Sequence, residues 1–268
     1  MNRCAVIATH HKTGTVWMNS TFSAICRALD IKFTKVERND AFSPEDSPPP
    51  IVVFQPHSEF ANFPWLLDNP EHRVLHLIRD PRDIIISAMH YHRTAEEQQL
   101  HIRRRKFGGM TYQQKINTLA NDHERYLFEM QNTSKKVIEA MCGWNYARPN
   151  CFECKYEDLV MDKEMVLFSR ILRHLGFSED ELEKGRQEFW RKSLFGKKAG
   201  RQGKTRHLRS GEARQWPAVF DRRLAEAFLQ NFGDALVGLG YEPDDSWINE
   251  LSFVTGHDQR TGIVQLQR

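Results

Sequence analysis

The chain has 268 residues, enough for one large domain or two small ones, and a hydrophobic content of 40% that fits an ordinary globular core. A formal net charge of +3 is too near balance for a bulk nucleic-acid binder, and no apolar run approaches the ~20 residues that a bilayer span needs. Five scattered cysteines, an odd number in apolar surroundings, point to reduced thiols in a cytoplasmic protein. The Cys151/Cys154 pair lacks a second pair or a neighbouring histidine, so it is weak ground for zinc. The first residues run straight into "CAVIAT", too short for a signal-peptide core.

Strands are expected at 4–9, 51–54, 73–78 and 151–156, with a weaker one at 31–37. Helical patterns lie between and after them: one from about Thr15, a long one over 111–142 with a break near Asn132–Thr133, then 163–175, 178–190 and 217–232. Strand–helix alternation with uniformly apolar strands argues for a parallel central sheet flanked by helices, an α/β fold. The prolines of 41–50 make that segment a loop. The Lys-, Arg- and Gly-rich stretch of about 191–211 is expected to be a mobile basic loop, and the tail after Asp244 has no period. With no repeat and no clean boundary, one domain over 1–268 is the simplest organisation. The basic cluster "RRRK" at 103–106 is best taken as a solvated face.

Two stretches carry chemistry. The first is "THHKTGTVW" (9–17), a strand end, a small polar loop and a helix start. In a parallel sheet such a loop lies where ligands bind, and the helix's first N–H groups point at an anion. Gly14 allows close backbone approach, Lys12 supplies charge, and Thr13 and Thr15 supply hydroxyls. The ATPase phosphate loop places its Lys after a second Gly, whereas Lys12 precedes the only Gly here. Trp17 suits either a stacked base or plain core packing. The second stretch is "RDPRDIIIS" (79–87). Asp80 is an N-cap, Pro81 a first helical residue and Asp83 a first-turn acid, so Arg79 ends a strand on the same edge as the loop. Arg79 with Ser87 makes a second anion site; a carboxylate partner for Arg79 and helix packing for Ser87 is the competing reading.

Together these segments resemble a sulfotransferase that uses 3'-phosphoadenosine 5'-phosphosulfate. "KTGTVW" (12–17) matches that family's first loop, and "RDPRDIIIS" (79–87) matches the second motif at every fixed position. "YEDL" (156–159) and "RSGEARQW" (209–216) follow in the family's order. The resemblance implies a phosphate-loop-NTPase-like sulfotransferase fold, donor binding without a metal, and transfer of sulfuryl to a small-molecule or saccharide acceptor. It assigns the 5' end of the donor to the backbone of 13–17, Val16 included, and to Lys12, Thr13, Gly14 and Thr15. It assigns adenine to Trp17 with Tyr156, and the 3'-phosphate to Arg79, Ser87, Arg209, Ser210 and Gly211. The family's catalytic histidine falls on His57, in "IVVFQPHSEF", some two dozen residues before Arg79.

The chemistry explains the histidine, because a hydroxyl acceptor attacks well only when a base takes its proton, and an imidazole does so near neutral pH. Lys12 would stabilise charge growing on the bridging oxygen. His10 and His11 sit in the loop and are further ligand candidates; His90 and His92 have weaker claims. There are departures: His11 replaces a common Pro, Val16 a common Thr, and Ser210 a usual Lys, for which Lys204 or Arg206 would compensate. Two alternatives stay open on sequence alone, a small-molecule kinase and a non-catalytic module that binds nucleotide or sulfated polysaccharide. Acceptor and oligomeric state are open too.

Overall fold

Every strand that the apolar runs announce joins one five-stranded parallel sheet. Its order is β2 (Lys32–Lys35), β3 (Ile51–Gln55), β1 (Cys4–Thr9), β4 (Arg73–Ile78), β7 (Cys151–Lys155). The computed structural model describes residues 4–43, 45, 48–97, 104–199 and 211–251, with backbone alone at 104–106, 197–199 and 250. β1 is central, pairing with β3 at Ala8↔Gln55 and with β4 at Thr9↔Leu77, so the three strands end side by side.

All six residues of β1 are buried because both faces of the sheet are covered. Ala5 and Ile7 face one cluster, in which α1 (Thr15–Leu29) sends Met18, Phe22 and Ile25 against Leu75 and Leu77. Behind α1 pack α8 (Val166–His174) and α9 (Glu179–Lys192) through Phe168, Ile171 and Phe189. Cys4, Val6 and Ala8 face the opposite cluster with Phe63 and Leu66, the latter on the short helix α2 (Pro64–Asp68). This inside–outside alternation also separates the two β7 cysteines: Cys154 lies in the first cluster and Cys151 against the other.

A third cluster joins α3 (Pro81–His92) to α5 (Asp122–Gln131), α6 (Thr133–Cys142) and α11 (Arg222–Phe232), around Ile85, Met89, Met130, Met141 and Phe228. The long helix expected over 111–142 is three helices. α4 (Tyr112–Thr118) starts at a capping box on Thr111 and Gln114, Asn121 caps α5, and the break at Asn132 falls where it is expected. The β5–β6 hairpin (Arg104–Phe107, Met110–Thr111) is an element the sequence does not announce; its first strand overlaps "RRRK". α7 (Tyr156–Met161) follows β7 directly, and α10 (Leu194–Ala199) follows α9. The basic loop expected over about 191–211 begins in helix instead, since α9 runs to Lys192 and α10 covers Leu194–Ala199; its positions 200–210, Arg209 and Ser210 among them, lie outside the described residues. Among the described residues no helix is long and apolar enough to cross a membrane.

Candidate active site

The ends of β1, β3 and β4 share one rim, and a cleft of about 590 Å³ lies on it. The loop after β1 forms its floor. It is tied by its own hydroxyls: Thr13 Oγ1 donates to the His10 carbonyl at 2.9 Å and accepts from the His10 N–H at 2.9 Å. Thr15 Oγ1 donates to the same carbonyl at 2.7 Å and accepts from Thr9 Oγ1 at 3.1 Å. Thr13 is therefore buried beneath the loop, whereas Lys12, Gly14, Thr15, Val16 and Trp17 line the cleft. Gly14 sits at φ 103°, and a Cβ there would meet the Tyr156 ring at 3.0 Å, so position 14 needs glycine twice over. It caps α1 without a side-chain acceptor, which leaves the first-turn N–H groups for a ligand.

Arg79 and Ser87 also line the cleft. The Arg79 guanidinium is buried: it donates to the Lys12 carbonyl at 3.1 Å and to the Glu212 carbonyl at 3.2 Å, pairs with Asp83 at 3.4 Å, and lies 4.5 Å from the Tyr156 ring centroid. The carboxylate partner and the cleft position thus coexist. Asp83, its carboxyl pushed above the usual range chiefly by burial, accepts from the N–H groups of Gln215 and Trp216 at 2.9 and 3.0 Å. Tyr156 Oη donates to the Gly211 carbonyl at 2.8 Å. These three side chains fasten the segment from Gly211 to Trp216 beside the cleft, and Gly211 and Gln215 reach into it.

The other residues of "YED" and "RDPRD" hold this frame. Glu157 accepts from the Asp80 N–H at 3.1 Å and from Tyr241 Oη at 3.0 Å. Arg82 bonds Asp80 and Glu242 at 2.7 and 2.6 Å and stacks 3.5 Å from the Trp216 ring. Trp17 packs on Phe189 at 5.3 Å and edge-on to Tyr156 at 6.0 Å, so it is both a core residue and a wall of the cleft.

His57 also lines the cleft, exposed, two residues beyond β3; Gln55 Oε1 accepts its N–H at 2.7 Å. Lys12 Nζ lies 3.9 Å from the Tyr91 ring centroid, and burial, with the charge of Arg79 second, lowers its pKa to about 8. Lys35, His90, Tyr91, Thr94 and Glu97 line the cleft as well. Tyr91 Oη donates to Glu97.

Sequence reasoning passes over Asp83 as a tether, over Tyr91, Thr94 and Glu97 in the wall, and over Glu129. The signal for Glu129 is a carboxylate three residues after Tyr126 and beside Met130, on the buried stripe of α5. Nothing local marks Thr94 or Glu97, which follow α3 without a motif.

A family model for the sulfotransferase domain matches residues 3–240. Among solved structures, a mouse sulfotransferase complexed with PAP aligns over 90% of this chain and 88% of its own, at 15% identity and a TM-score of 0.57. Retinol dehydratase in complex with androsterone and inactive cofactor PAP aligns over 87% and 80%, at 16% identity and 0.55. The same enzyme in complex with retinol and PAP aligns over 87% and 81%, at 14% identity and 0.52. At such identities these structures speak for the fold, a parallel sheet between helix layers. The model match spans most of the sequence and includes the loop after β1, the strand end at Arg79 and "YEDL". The chain belongs to the sulfotransferase family.

Proposed function

We propose that the protein transfers a sulfuryl group from 3'-phosphoadenosine 5'-phosphosulfate to a hydroxyl or amine of a small-molecule or saccharide acceptor. One observation carries this reading: two anion-binding features, the loop at Lys12–Trp17 and the pair Arg79–Ser87, line the same cleft. The residues fit such a donor. A cradle at Gly14 admits no side chain, and the buried Arg79 Nε and Trp17 Nε1 have no hydrogen-bond partner among the described residues. The PAP held by the solved relatives, adenosine 3',5'-bisphosphate, is the nucleotide product such a donor would leave.

Lys12, Thr15 and the first N–H groups of α1 would hold the 5' phosphosulfate, and Trp17 with Tyr156 the adenine. Arg79 and Ser87 would hold the 3'-phosphate, with Gly211 and, by resemblance, Arg209 and Ser210. When bound, the donor supplies the sulfuryl group and a phosphate leaving group. His57 accepts the acceptor's proton, and Lys12, a cation held in a partly dry site, neutralises charge on the departing oxygen. The pKa of about 8 leaves Lys12 mostly protonated at neutral pH, and an anion beside it raises that value.

The test is transfer from ³⁵S-labelled donor to a panel of phenols, aliphatic alcohols and saccharides, with ATP as the competing donor. Labelled sulfated product without any use of ATP is expected. Phosphorylated product that requires ATP and magnesium would replace this reading with the kinase.

A further inference from the structure

His10 and His11 are neighbours in the chain, and each bonds a second histidine that bonds a glutamate. His10 Nε2 lies 2.8 Å from His76 Nε2, and His76 Nδ1 lies 2.6 Å from Glu153 Oε2. His11 Nε2 lies 3.2 Å from His92 Nε2, and His92 Nδ1 lies 2.6 Å from Glu129 Oε1. The two arrays differ in where they end. His10 and His76 are buried, with the His76 ring stacked 3.9 Å from Trp144, and neither lines the cleft. His11 does line the cleft, while His92 and Glu129 lie in the interior behind it.

The bonding order fixes one proton. A carboxylate only accepts, so His92 carries a proton at Nδ1. The Nε2–Nε2 contact is met when His11 donates from Nε2 to the His92 lone pair, the arrangement the proposal takes and the spectra below test. That leaves Nδ1 of His11 as a lone pair on a ring in the cleft wall. Glu129 also accepts from Ser134 Oγ at 3.2 Å. The groups facing the array are Lys12 and His57 from the loops, Tyr91 on α3, Tyr112 on α4, and Glu97 near Lys12. Burial first, then His92, Lys12 and His57, hold the His11 imidazole well below its usual range, so it is neutral and able to accept.

We propose that His11 is a second catalytic base of this cleft, taking the acceptor's proton at Nδ1, with His92 and Glu129 as positioning residues that draw the Nε2 proton inward. The proposal rests on the sulfuryl-transfer reading. As the acceptor oxygen bonds sulfur, the bond from sulfur to the bridging phosphate oxygen breaks and its electron pair leaves with the phosphate. For an acceptor whose hydroxyl lies against His11 instead of the rim at His57, its proton goes to His11 Nδ1, the His11 Nε2 proton goes to His92 Nε2, and the Glu129 carboxylate holds the resulting imidazolium, the role an acid plays behind a catalytic histidine. The proton returns through His11 to solvent before the next turnover. His57, exposed on the rim, and His11, backed by a buried carboxylate, are thus two bases of unlike reach.

The experiment uses the full chain. Long-range ¹⁵N–¹H spectra of the histidine side chains at pH 7 are expected to show His11 protonated at Nε2 and bare at Nδ1, with His92→Gln moving the His11 Nε2 signal. A proton on His11 Nδ1, or no change in His92→Gln, overturns the proposal without any acceptor. Turnover of labelled donor with 2-naphthol, N-acetylglucosamine or water then reads the chemistry. With at least one of these acceptors, His11→Gln should lose kcat on the order of 10²-fold while His57→Ala loses far less, with adenosine 3',5'-bisphosphate affinity intact. Glu129→Gln, which keeps a hydrogen bond and removes the charge, should shift the acidic limb of the kcat–pH profile downward. An unaltered kcat in His11→Gln, or an unaltered profile in Glu129→Gln, contradicts it. Calorimetry on the wild type separates the two readings: failure to bind the bisphosphate sinks the donor assignment, while the spectra still judge the array.

Discussion

The two sides of the cleft are built in different ways. The donor side is backbone and buried bonds. The Thr13 and Thr15 hydroxyls close the loop, Arg79 spans from the Lys12 carbonyl to the Glu212 carbonyl, and Asp83 and Tyr156 fasten the segment after Gly211. Under the proposed function the acceptor would meet side chains brought from separate elements: Lys35 on β2, His57 after β3, His90 and Tyr91 on α3, then Thr94 and Glu97. A phosphate is recognised by a fixed set of N–H groups and cations, which demands fixed local spacing. An acceptor is recognised by shape, which fixes no spacing along the chain. The donor side should therefore respond to substitution mainly in nucleotide affinity, and the acceptor side mainly in turnover.

The largest expected effect is Arg79→Ala. Removing one partner of a buried, hydrogen-bonded charge should weaken adenosine 3',5'-bisphosphate on the order of 10²- to 10³-fold, while adenosine 5'-monophosphate, lacking the 3'-phosphate, changes far less. Equal losses for both ligands would mean that Arg79 only supports the loop. His57→Ala should lose kcat on the order of 10²-fold or more and keep bisphosphate affinity in calorimetry, the reverse pattern. Near-normal kcat would move the base to another residue.

Gly14→Ala tests the cradle itself. The positive φ and the 3.0 Å approach to the Tyr156 ring should cost about 1–3 kcal/mol of folding stability, read as a lowered denaturation midpoint, with weaker nucleotide binding. An unchanged midpoint would mean that the loop relaxes freely.

The smallest effect is in pH. Lys12 in the free protein has a pKa of about 8. Its folded value lies below the unfolded one, so the unfolded chain binds more protons between them, and this residue's contribution to stability rises with pH from about 8 to about 10.4. Ligand linkage has the opposite sign: an anion favours protonated Lys12, so bisphosphate affinity should fall as pH rises through about 8, with proton uptake on binding. Calorimetry in buffers of different ionisation enthalpy would show the uptake, and Lys12→Met should abolish it. Uptake unchanged in Lys12→Met would assign the titration elsewhere.

The contrast between the two sides also explains what is legible in the amino-acid sequence. β1, β3 and β4 announce themselves because strands covered on both faces are mostly apolar. Edge strand β2, with no fully buried residue, is the faint one. The loop after β1 and the Asp80–Pro81 cap are legible because local backbone geometry dictates those residue types. The break at Asn121 is not, because a polar residue between two amphipathic helices looks like any exposed position. Asp83 illustrates the limit: its first-turn charge is readable, but its bonds to Gln215 and Trp216 join residues 132 and 133 positions away. His92 and Glu129 are hidden likewise, since their meeting depends on how α3 packs against α5.

Calorimetric titration of adenosine 3',5'-bisphosphate against adenosine 5'-monophosphate, on wild type and Arg79→Ala, tests most directly whether one cleft holds two phosphate sites. Wild type should bind the bisphosphate far more tightly than the monophosphate, and the variant should erase that gap. Equal affinity of wild type for the two nucleotides would contradict the account.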